Sequence, residues 1–388
     1  MKNIPWASPH YWGNEERYVV DALQSNWISG GAYVERLEED FARYCDVPYA
    51  IAASNGTTAL HMAYLAVDIR PGDEVIVPGF GFMAAANIAL HVGATPVFSE
   101  VDPDSWCMIA QDVERCITPK TKAIVPIHTY GNVCDMAPIM ELANSKGLLV
   151  VEDAAEAIGS KYMGRMAGTI APLGIYSFQA TKTITTGEGG AAVTSSVALR
   201  DRMRLFRSHG MASRRYWHEV AGHNFRLTNI QAAMGCAQLE QIQTIVMERD
   251  RVYKTYKKLL GNIDGITLQY FSVDVVPVVW AIAMALDVSA FRLGRDGTIE
   301  RLGAMGIETR PGFYAATAMP HIYGEGRLPV CELLGRQVIS LPSSPALSEG
   351  DIEFICDDTK RPEQQVEQQD ERYDIAGDSG GFLGRNHQ

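Results

Sequence analysis

From about residue 47 the chain alternates short apolar runs with helix-length segments, and this alternation constrains the fold more than any other feature. The apolar runs are VPYAIAAS, EVIVP, TPVFSEVD, KAIVPIH, LLVVEDAA, IYSFQA and GGAAVTSS. Segments such as TTALHMAYLAV and MAPIMELANSK lie between them and show helical patterns. Strands this apolar, separated by helices, are typical of a mainly parallel sheet that is covered on both faces. The sequence therefore predicts an α/β protein whose ligands bind at the carboxyl ends of the strands.

The pattern changes after Thr228. A long stretch without proline follows, which predicts one long helix with Thr228 or Asn229 as its N-cap. Beyond it, GITLQY and VVPVVWAIAMAL predict two strands, and helices are expected from about Ala290 and over LSEGDIEFICDD. We predict three parts: a large domain with an N-terminal arm over residues 1–240, a small α+β domain over residues 241–358, and a poorly ordered polar tail over residues 359–388.

Composition excludes several classes of function. The formal net charge of −12, with no basic block, argues against nucleic-acid binding. The longest apolar run, residues 275–286, is too short to span a bilayer, and the start of the chain lacks the apolar core of a signal peptide. Seven scattered cysteines form no CxxC pair or Cys/His cluster, so we expect reduced thiols, no bound metal and a cytoplasmic location.

Four polar features fall at predicted strand ends or helix starts. SNGTT follows the first strand, where backbone N–H groups and a hydroxyl at a helix start can meet a phosphate. Asp153 ends an apolar strand, an expensive place for a carboxylate unless a cation pairs with it. Lys182 stands in SFQATKTITTGEGG, where partial desolvation would lower the pKa of its amine. The fourth feature, GHNFR, precedes the long helix, and each feature alone is ordinary.

Taken together and in this order, the features resemble the DegT/DnrJ/EryC1/StrS sugar aminotransferases. SNGTTAL, PGDEVIVP, EDAAEAIGS, YSFQATKTITTGEGG and NFRLTNIQAA are similar to signature segments of that family, and the resemblance runs from about residue 10 to about residue 356. It implies the aspartate-aminotransferase-like fold (PLP fold type I) and pyridoxal 5′-phosphate as the cofactor. By the same resemblance, Lys182 is the lysine that binds the cofactor covalently, and Asp153 is the partner of the pyridine nitrogen.

The resemblance also implies the remaining cofactor contacts. Gly56, Thr57 and Ser177 are similar to the phosphate contacts, and Phe82 in PGFGFMAAAN is similar to the aromatic residue that stacks on the ring. Glu156 matches the neighbour of the phenolic oxygen. Asn224 matches a residue that the family lends to the partner subunit's cofactor phosphate, which implies a homodimer with a shared active site.

The resemblance implies L-glutamate as the amino donor and a nucleotide-linked ketosugar as the acceptor. RRYW, GHNFRLTNIQAAMGCAQLE and EDAAEA are similar to segments of the members that aminate C4 of a 4-keto-6-deoxysugar. His209, Arg310 and Phe313 are candidates for substrate binding, since a planar guanidinium holds carboxylate or phosphate bidentately. The sequence leaves open the nucleotide (GDP, UDP or dTDP) and amination at C3 instead of C4.

Three rival functions fit the residues less well. A 3-dehydratase on the same scaffold calls for histidine in place of the cofactor lysine, whereas this chain has Lys182. A non-catalytic regulatory member predicts the loss of Lys182, Asp153 or the phosphate loop, and all three are present. A dinucleotide-binding dehydrogenase requires GxGxxG after its first strand, which SNGTT does not supply.

Overall fold

A computed structural model describes residues 2–322 and 326–360 of the chain. Its strands, in chain order, are β1 (Tyr49–Ala53), β2 (Glu74–Pro78), β3 (Thr95–Ser99), β4 (Thr121–Ile124), β5 (Leu149–Asp153), β6 (Lys161–Tyr162), β7 (Arg165–Met166), β8 (Leu173–Ser177), β9 (Gly190–Thr194), β10 (Ile266–Leu268), β11 (Val275–Val276), β12 (Ile282–Leu286), β13 (Arg310–Pro311) and β14 (Val338–Leu341). Its α-helices are α1 (Glu15–Gln24), α2 (Ala32–Tyr44), α3 (Gly56–Ala66), α4 (Ala84–His91), α5 (Ala110–Cys116), α6 (Met136–Lys146), α7 (Val197–Arg207), α8 (Asn229–Glu240), α9 (Ile242–Leu260), α10 (Gly294–Ala304), α11 (Pro329–Gln337) and α12 (Glu349–Lys360).

The larger sheet has seven strands in the order β1-β9-β8-β5-β4-β2-β3. β9 runs antiparallel to both of its neighbours, and the other pairs are parallel. Separate apolar clusters cover the sheet, one built with α2, α6 and α8 and the other with α3 and α4. This arrangement confirms the predicted α/β class, because strands covered on both faces need the continuous apolar runs seen in the sequence.

The smaller domain is built on an antiparallel sheet in the order β10-β12-β14-β13. Its core joins Val252 and Tyr256 of α9 to Ile352 and Ile355 of α12 and to the apolar side chains of the sheet. The N-terminal arm reaches this domain as well, because Ile4 pairs with Ile307 and the Trp6 indole donates to Ser340 Oγ at 2.8 Å. The His10 carbonyl of the arm accepts from Gln238 of α8 at 3.0 Å, so the arm lies beside both domains.

Two predicted elements are wrong in extent. The long helix after Thr228 is broken at Gln241 into α8 and α9. α8 is buried on almost all sides, whereas α9 buries one stripe, which packs in the large-domain core at Ile242 and Ile245 and in the small-domain core from Val252 onward. The predicted strand VVPVVWAIAMAL is split into β11 and β12, since Pro277 cannot donate to a ladder and the chain crosses between sheets there. Thr228 is the N-cap of α8, as predicted.

The domain boundaries at residues 240 and 358 stay predictions. The first lies next to the break between α8 and α9, and α12 continues through Lys360, two residues into the predicted tail. Residues 361–388 lie outside the described residues. Over residues 2–322 and 326–360, no helix combines the length and apolarity needed to cross a membrane.

Candidate active site

A cavity of about 720 Å³ opens at the carboxyl ends of the large sheet, where the small domain faces it. Nine of the predicted site residues line it: Gly56, Thr57, Phe82, Asp153, Glu156, Ser177, Lys182, Arg310 and Phe313. They come from loops after β1, β2, β5 and β8 and from the small domain. The parallel sheet brings these loops together because the carboxyl ends of parallel strands meet at one edge.

The start of α3 forms one end of the cavity. Asn55 caps the helix by accepting from the Thr58 N–H at 2.8 Å, and Thr58 Oγ1 in return accepts from the Asn55 N–H at 3.1 Å. A Cβ added at Gly56 would lie 2.9 Å from the Cβ of Ser177, closer than side chains pack, so glycine is needed for the helix to approach β8. The first-turn N–H groups and the helix dipole favour an anion such as phosphate here.

Asp153 lies at the end of β5 and is 5% exposed. Its Oδ1 accepts from the Ala155 N–H at 3.1 Å. Burial raises the pKa of its carboxyl to about 6 and the nearby Glu156 charge adds to the rise, while the Ala155 N–H and the Lys182 charge oppose it. Within the described residues no cation pairs with Asp153 at ion-pair distance. The carboxyl is thus a buried acid that a cation in the cavity would stabilise.

Lys182 points its amine at the same acids. Its Nζ lies 3.5 Å from Glu156 Oε1, while Glu156 Oε2 accepts from the Tyr130 N–H at 2.9 Å. Burial lowers the pKa of the Lys182 amine and raises that of the Glu156 carboxyl, and their mutual attraction opposes both shifts. An amine with a lowered pKa is more often unprotonated, and the unprotonated form is the nucleophile and proton acceptor.

Three aromatic residues that line the cavity were missed by the sequence analysis: Trp6, Tyr130 and Trp280. The Trp280 ring centroid lies 3.5 Å from Lys182 Nζ, and the indole N–H donates to the Thr181 carbonyl at 2.8 Å. Tyr130 has a left-handed backbone (φ 58°) and stacks on Phe313, with centroids 5.0 Å apart and rings 6° from parallel. Tyr130 is the second residue after the strand run KAIVPIH, the signal that could have found it, whereas Trp280 was hidden inside an apolar run.

The mouth of the cavity is also aromatic. The Phe82 residue is 58% exposed, and its ring makes an edge contact with that of Phe313, with the ring centroids 6.3 Å apart. The Arg310 guanidinium lies 4.2 Å from the Trp6 ring centroid, and its Nη2 lies 3.4 Å from Glu308 Oε1. A ring exposed at a cavity mouth and a guanidinium beside it can hold a flat ring and an anionic group.

Two predicted site residues lie outside the cavity of this chain. Asn224 is exposed, and its Oδ1 accepts from Arg226 Nε at 3.0 Å. His209 adopts a left-handed backbone (φ 60°), and its N–H donates to the His223 carbonyl at 2.7 Å. The role of Asn224 in a partner subunit and that of His209 in substrate binding therefore stay predictions.

The residues of the cavity fit pyridoxal phosphate. The phosphate suits the start of α3, Asp153 suits a protonated pyridine nitrogen, and the partly buried Lys182 amine suits the aldehyde. The absence of a cationic partner for Asp153 in the described chain is the observation that favours a cationic ring.

Comparison with known proteins decides the family. Residues 11–360 match the DegT/DnrJ/EryC1/StrS aminotransferase family. The chain belongs to that family. Among curated relatives of this DegT/DnrJ/EryC1/StrS aminotransferase, the GDP-perosamine synthase of Escherichia coli O157:H7 is 43% identical over 92% of this chain and 98% of the relative. The GDP-perosamine synthase of Caulobacter vibrioides is 42% identical over 92% of this chain and 97% of the relative.

The fold matches that of a solved structure. A Streptococcus pneumoniae chain solved in its PLP form has a TM-score of 0.88 and 25% identity, covering 92% of this DegT/DnrJ/EryC1/StrS aminotransferase and 98% of that chain. The family and the fold class expected from the sequence are therefore confirmed.

Proposed function

We propose that this aminotransferase uses pyridoxal phosphate to move an amino group from L-glutamate to C4 of a GDP-linked 4-keto-6-deoxysugar. The observation that carries the proposal is one cavity holding a buried lysine amine 3.5 Å from Glu156, a helix start, and a buried Asp153 that has no ion-pair partner in the described part of the chain. The two relatives named as GDP-perosamine synthases support the GDP-sugar as acceptor. Amination at C3, or of a UDP- or dTDP-linked ketosugar, is the alternative.

Pyridoxal phosphate supplies an electron sink for the pair of electrons left when a C–H bond beside the amino group is broken. Asp153, as a carboxylate, would hold the pyridine nitrogen protonated. Gly56, Thr57 and Ser177 would bind the phosphate, and Phe82 would cover the ring. Glu156 would lie near the phenolic oxygen.

Lys182 has two roles in the proposal. Its Nζ would hold the cofactor covalently between turnovers, and as a free amine it would take a proton from the donor carbon and return one during amination of the sugar. The lowered pKa of the Lys182 amine suits both roles, because only the unprotonated amine attacks a carbonyl or accepts a proton.

Substrate residues and assembly complete the proposal. Arg310 and Phe313 line the cavity mouth and would contact the donor carboxylate or the nucleotide sugar, together with His209. The site would be completed in a cytoplasmic homodimer, in which Asn224 of one subunit reaches the cofactor phosphate of the other.

The acceptor and donor are tested by product analysis. Purified enzyme is incubated with GDP-, UDP- and dTDP-linked 4-ketosugars and with L-glutamate, L-glutamine or L-aspartate, and products are read by mass spectrometry and by NMR of the aminated carbon. We expect an amine at C4 of the GDP-sugar with glutamate. Amination of only a UDP- or dTDP-sugar would refute the GDP-sugar as acceptor and support the alternative. No amination of any ketosugar would refute the proposal as a whole.

The shared site is tested by mixing two inactive variants. Lys182→Ala and Asn224→Ala subunits are unfolded together and refolded, so that mixed dimers carry one site with both residues intact. Activity that appears only in the mixture supports the shared site. Equal inactivity of the mixture and of its components would contradict it, provided that wild-type chains refolded in the same way are active.

A further inference from the structure

Arg249 on α9 is a buried cation behind the candidate active site. It is 5% exposed, and none of its contacts within the described chain is an ion pair with a carboxylate. Burying a guanidinium without a carboxylate beside it lowers the stability of the folded chain, so we expect the group to serve the function of the site. Burial lowers the pKa of Arg249 to about 10, and the group is therefore still charged at neutral pH.

The guanidinium instead bridges backbone carbonyls of both domains. Its Nη2 donates to the Lys182 carbonyl at 3.2 Å, and its Nη1 donates to the Trp280 carbonyl at 2.9 Å and to the Ser343 carbonyl at 3.5 Å. Its Nε has no hydrogen-bond partner within the described residues. A guanidinium presents its N–H donors in a planar, rigid fork, which can hold several carbonyls in fixed relative positions.

Trp280 completes the connection. Its ring lies 3.5 Å from Lys182 Nζ, and its indole N–H donates to the carbonyl of Thr181, the residue before the lysine. Arg249 thus holds the backbone of the lysine and the backbone of the residue that covers the lysine amine.

We propose that Arg249 is a positioning residue for Lys182: it ties the lysine loop to the small domain and keeps a positive charge behind the lysine amine. The proposal deepens the proposed function, since it concerns the amine that would hold the cofactor. It assigns no contact between Arg249 and the cofactor or the substrates.

The direction of the electrostatic effect follows from the groups around the amine. The charged groups that affect Lys182 are Glu156 and Asp153, which favour its protonated form, and Arg249, which disfavours it, while burial also disfavours it. Removing the Arg249 charge removes a repulsion that disfavours the protonated amine. The pKa of Lys182 should therefore rise.

The experiment measures Lys182 directly in the cofactor-free enzyme. The chain is labelled with trace acetic anhydride between pH 6 and pH 11, and acetylation of the peptide that contains Lys182 is quantified by mass spectrometry. Arg249→Gln keeps amide donors for the carbonyls and removes the charge, whereas Arg249→Lys keeps the charge. Circular dichroism and a thermal transition establish that each variant is folded.

Arg251 provides the matched control. It lies on the same helix and donates to the carbonyls of Pro345 at 3.2 Å and Leu347 at 2.7 Å, without touching Lys182 or Trp280. Arg251→Gln removes a charge, an ion pair with Glu248 and two carbonyl contacts from the same helix. We expect its Lys182 labelling profile to match that of wild type.

For Arg249→Gln we expect the midpoint of Lys182 labelling to rise by about half to one pH unit, so that labelling below the midpoint is roughly three- to tenfold slower. Arg249→Lys should retain a midpoint near that of wild type. An unchanged midpoint in folded Arg249→Gln, or an equal rise in Arg249→Lys, would overturn the proposal. If neither variant folds, a wild-type midpoint at or above about 10.4, the ordinary lysine value, would overturn it.

Failure of this proposal can be distinguished from failure of the proposed function. Labelling is carried out without cofactor or substrates, and trapping of pyridoxal phosphate on Lys182 is scored separately. Covalent trapping together with an unchanged labelling profile would refute the role of Arg249 alone.

Discussion

Replacing Asp153 by asparagine should stabilise the cofactor-free enzyme and weaken cofactor binding. Burial is the largest cause that raises the pKa of the Asp153 carboxyl, from its ordinary value of 3.8 to about 6. Folding therefore disfavours the carboxylate form. Asparagine is neutral, nearly isosteric, and keeps an oxygen that can accept from the Ala155 N–H, a bond of 3.1 Å in the native chain.

The sign and size follow from proton linkage. Between pH 3.8 and about 6 the folded chain holds a proton on Asp153 that the unfolded chain releases, so this group lowers stability as the pH rises through that window. Above about pH 6 the ionised Asp153 carboxyl lowers the free energy of unfolding by its full amount, which is up to about 3 kcal/mol for a pKa difference of this size. Well below pH 3.8 the carboxyl is protonated in both states and the cost disappears.

The assay is urea unfolding of cofactor-free protein at pH 4.5 and pH 8, with protein concentration held fixed because assembly contributes to stability. Asp153→Asn should exceed wild type in unfolding free energy at pH 8 by up to about 3 kcal/mol, with a smaller difference at pH 4.5. Exposed Asp264→Asn is the control and should show no such pH-dependent gain.

The same variant should bind pyridoxal phosphate more weakly, since an amide cannot neutralise a protonated pyridine nitrogen. Titration followed by absorbance or fluorescence gives the dissociation constant. A variant that is no more stable than wild type at pH 8 would refute the electrostatic account of Asp153, and unaltered cofactor affinity would refute its pairing with the ring.

The remaining predictions concern the lysine, the phosphate loop and one helix. Lys182→Ala should bind pyridoxal phosphate without covalent trapping and lose turnover, and retained turnover would remove its assigned role. Gly56→Ala should weaken cofactor binding about tenfold or more, because the new Cβ would lie 2.9 Å from that of Ser177. Gly30→Ala is the control and should leave cofactor binding unchanged, because the space around Gly30 is open. Gly303→Ala, which has open space within α10, should raise the unfolding free energy by about 1 kcal/mol, and thermal unfolding that shows a loss would contradict this.

The sequence predicts well the parts of the fold that periodicity alone determines. The apolar runs ending at Ala53, Pro78, Asp153 and Ser177 are strands of one sheet, since a strand covered on both faces must be apolar throughout. The break at Gln241 was missed because the helical pattern continues on both sides of it, and the two helices differ in how much of their surface is buried.

The site shows the same division. Asp153 and Lys182 stand out as charged residues at places where charge is costly or unsupported, and Gly56 as the start of a helix after a strand, but their roles came from the resemblance to the family. Trp280 and Arg249 could not be selected, since their importance depends on contacts between domains. Both residues are far from Lys182 in the sequence, and no sequence pattern links them to it. In the structure both donate hydrogen bonds to carbonyls of the lysine loop.

The central claim, that Lys182 holds pyridoxal phosphate in this cavity, is tested most directly by borohydride reduction of the loaded enzyme followed by peptide mass mapping. The account predicts one phosphopyridoxyl group per chain, on the peptide that contains Lys182, and none on that peptide in Lys182→Ala. A group attached reproducibly to another lysine, or no attachment in enzyme that is active, would contradict it.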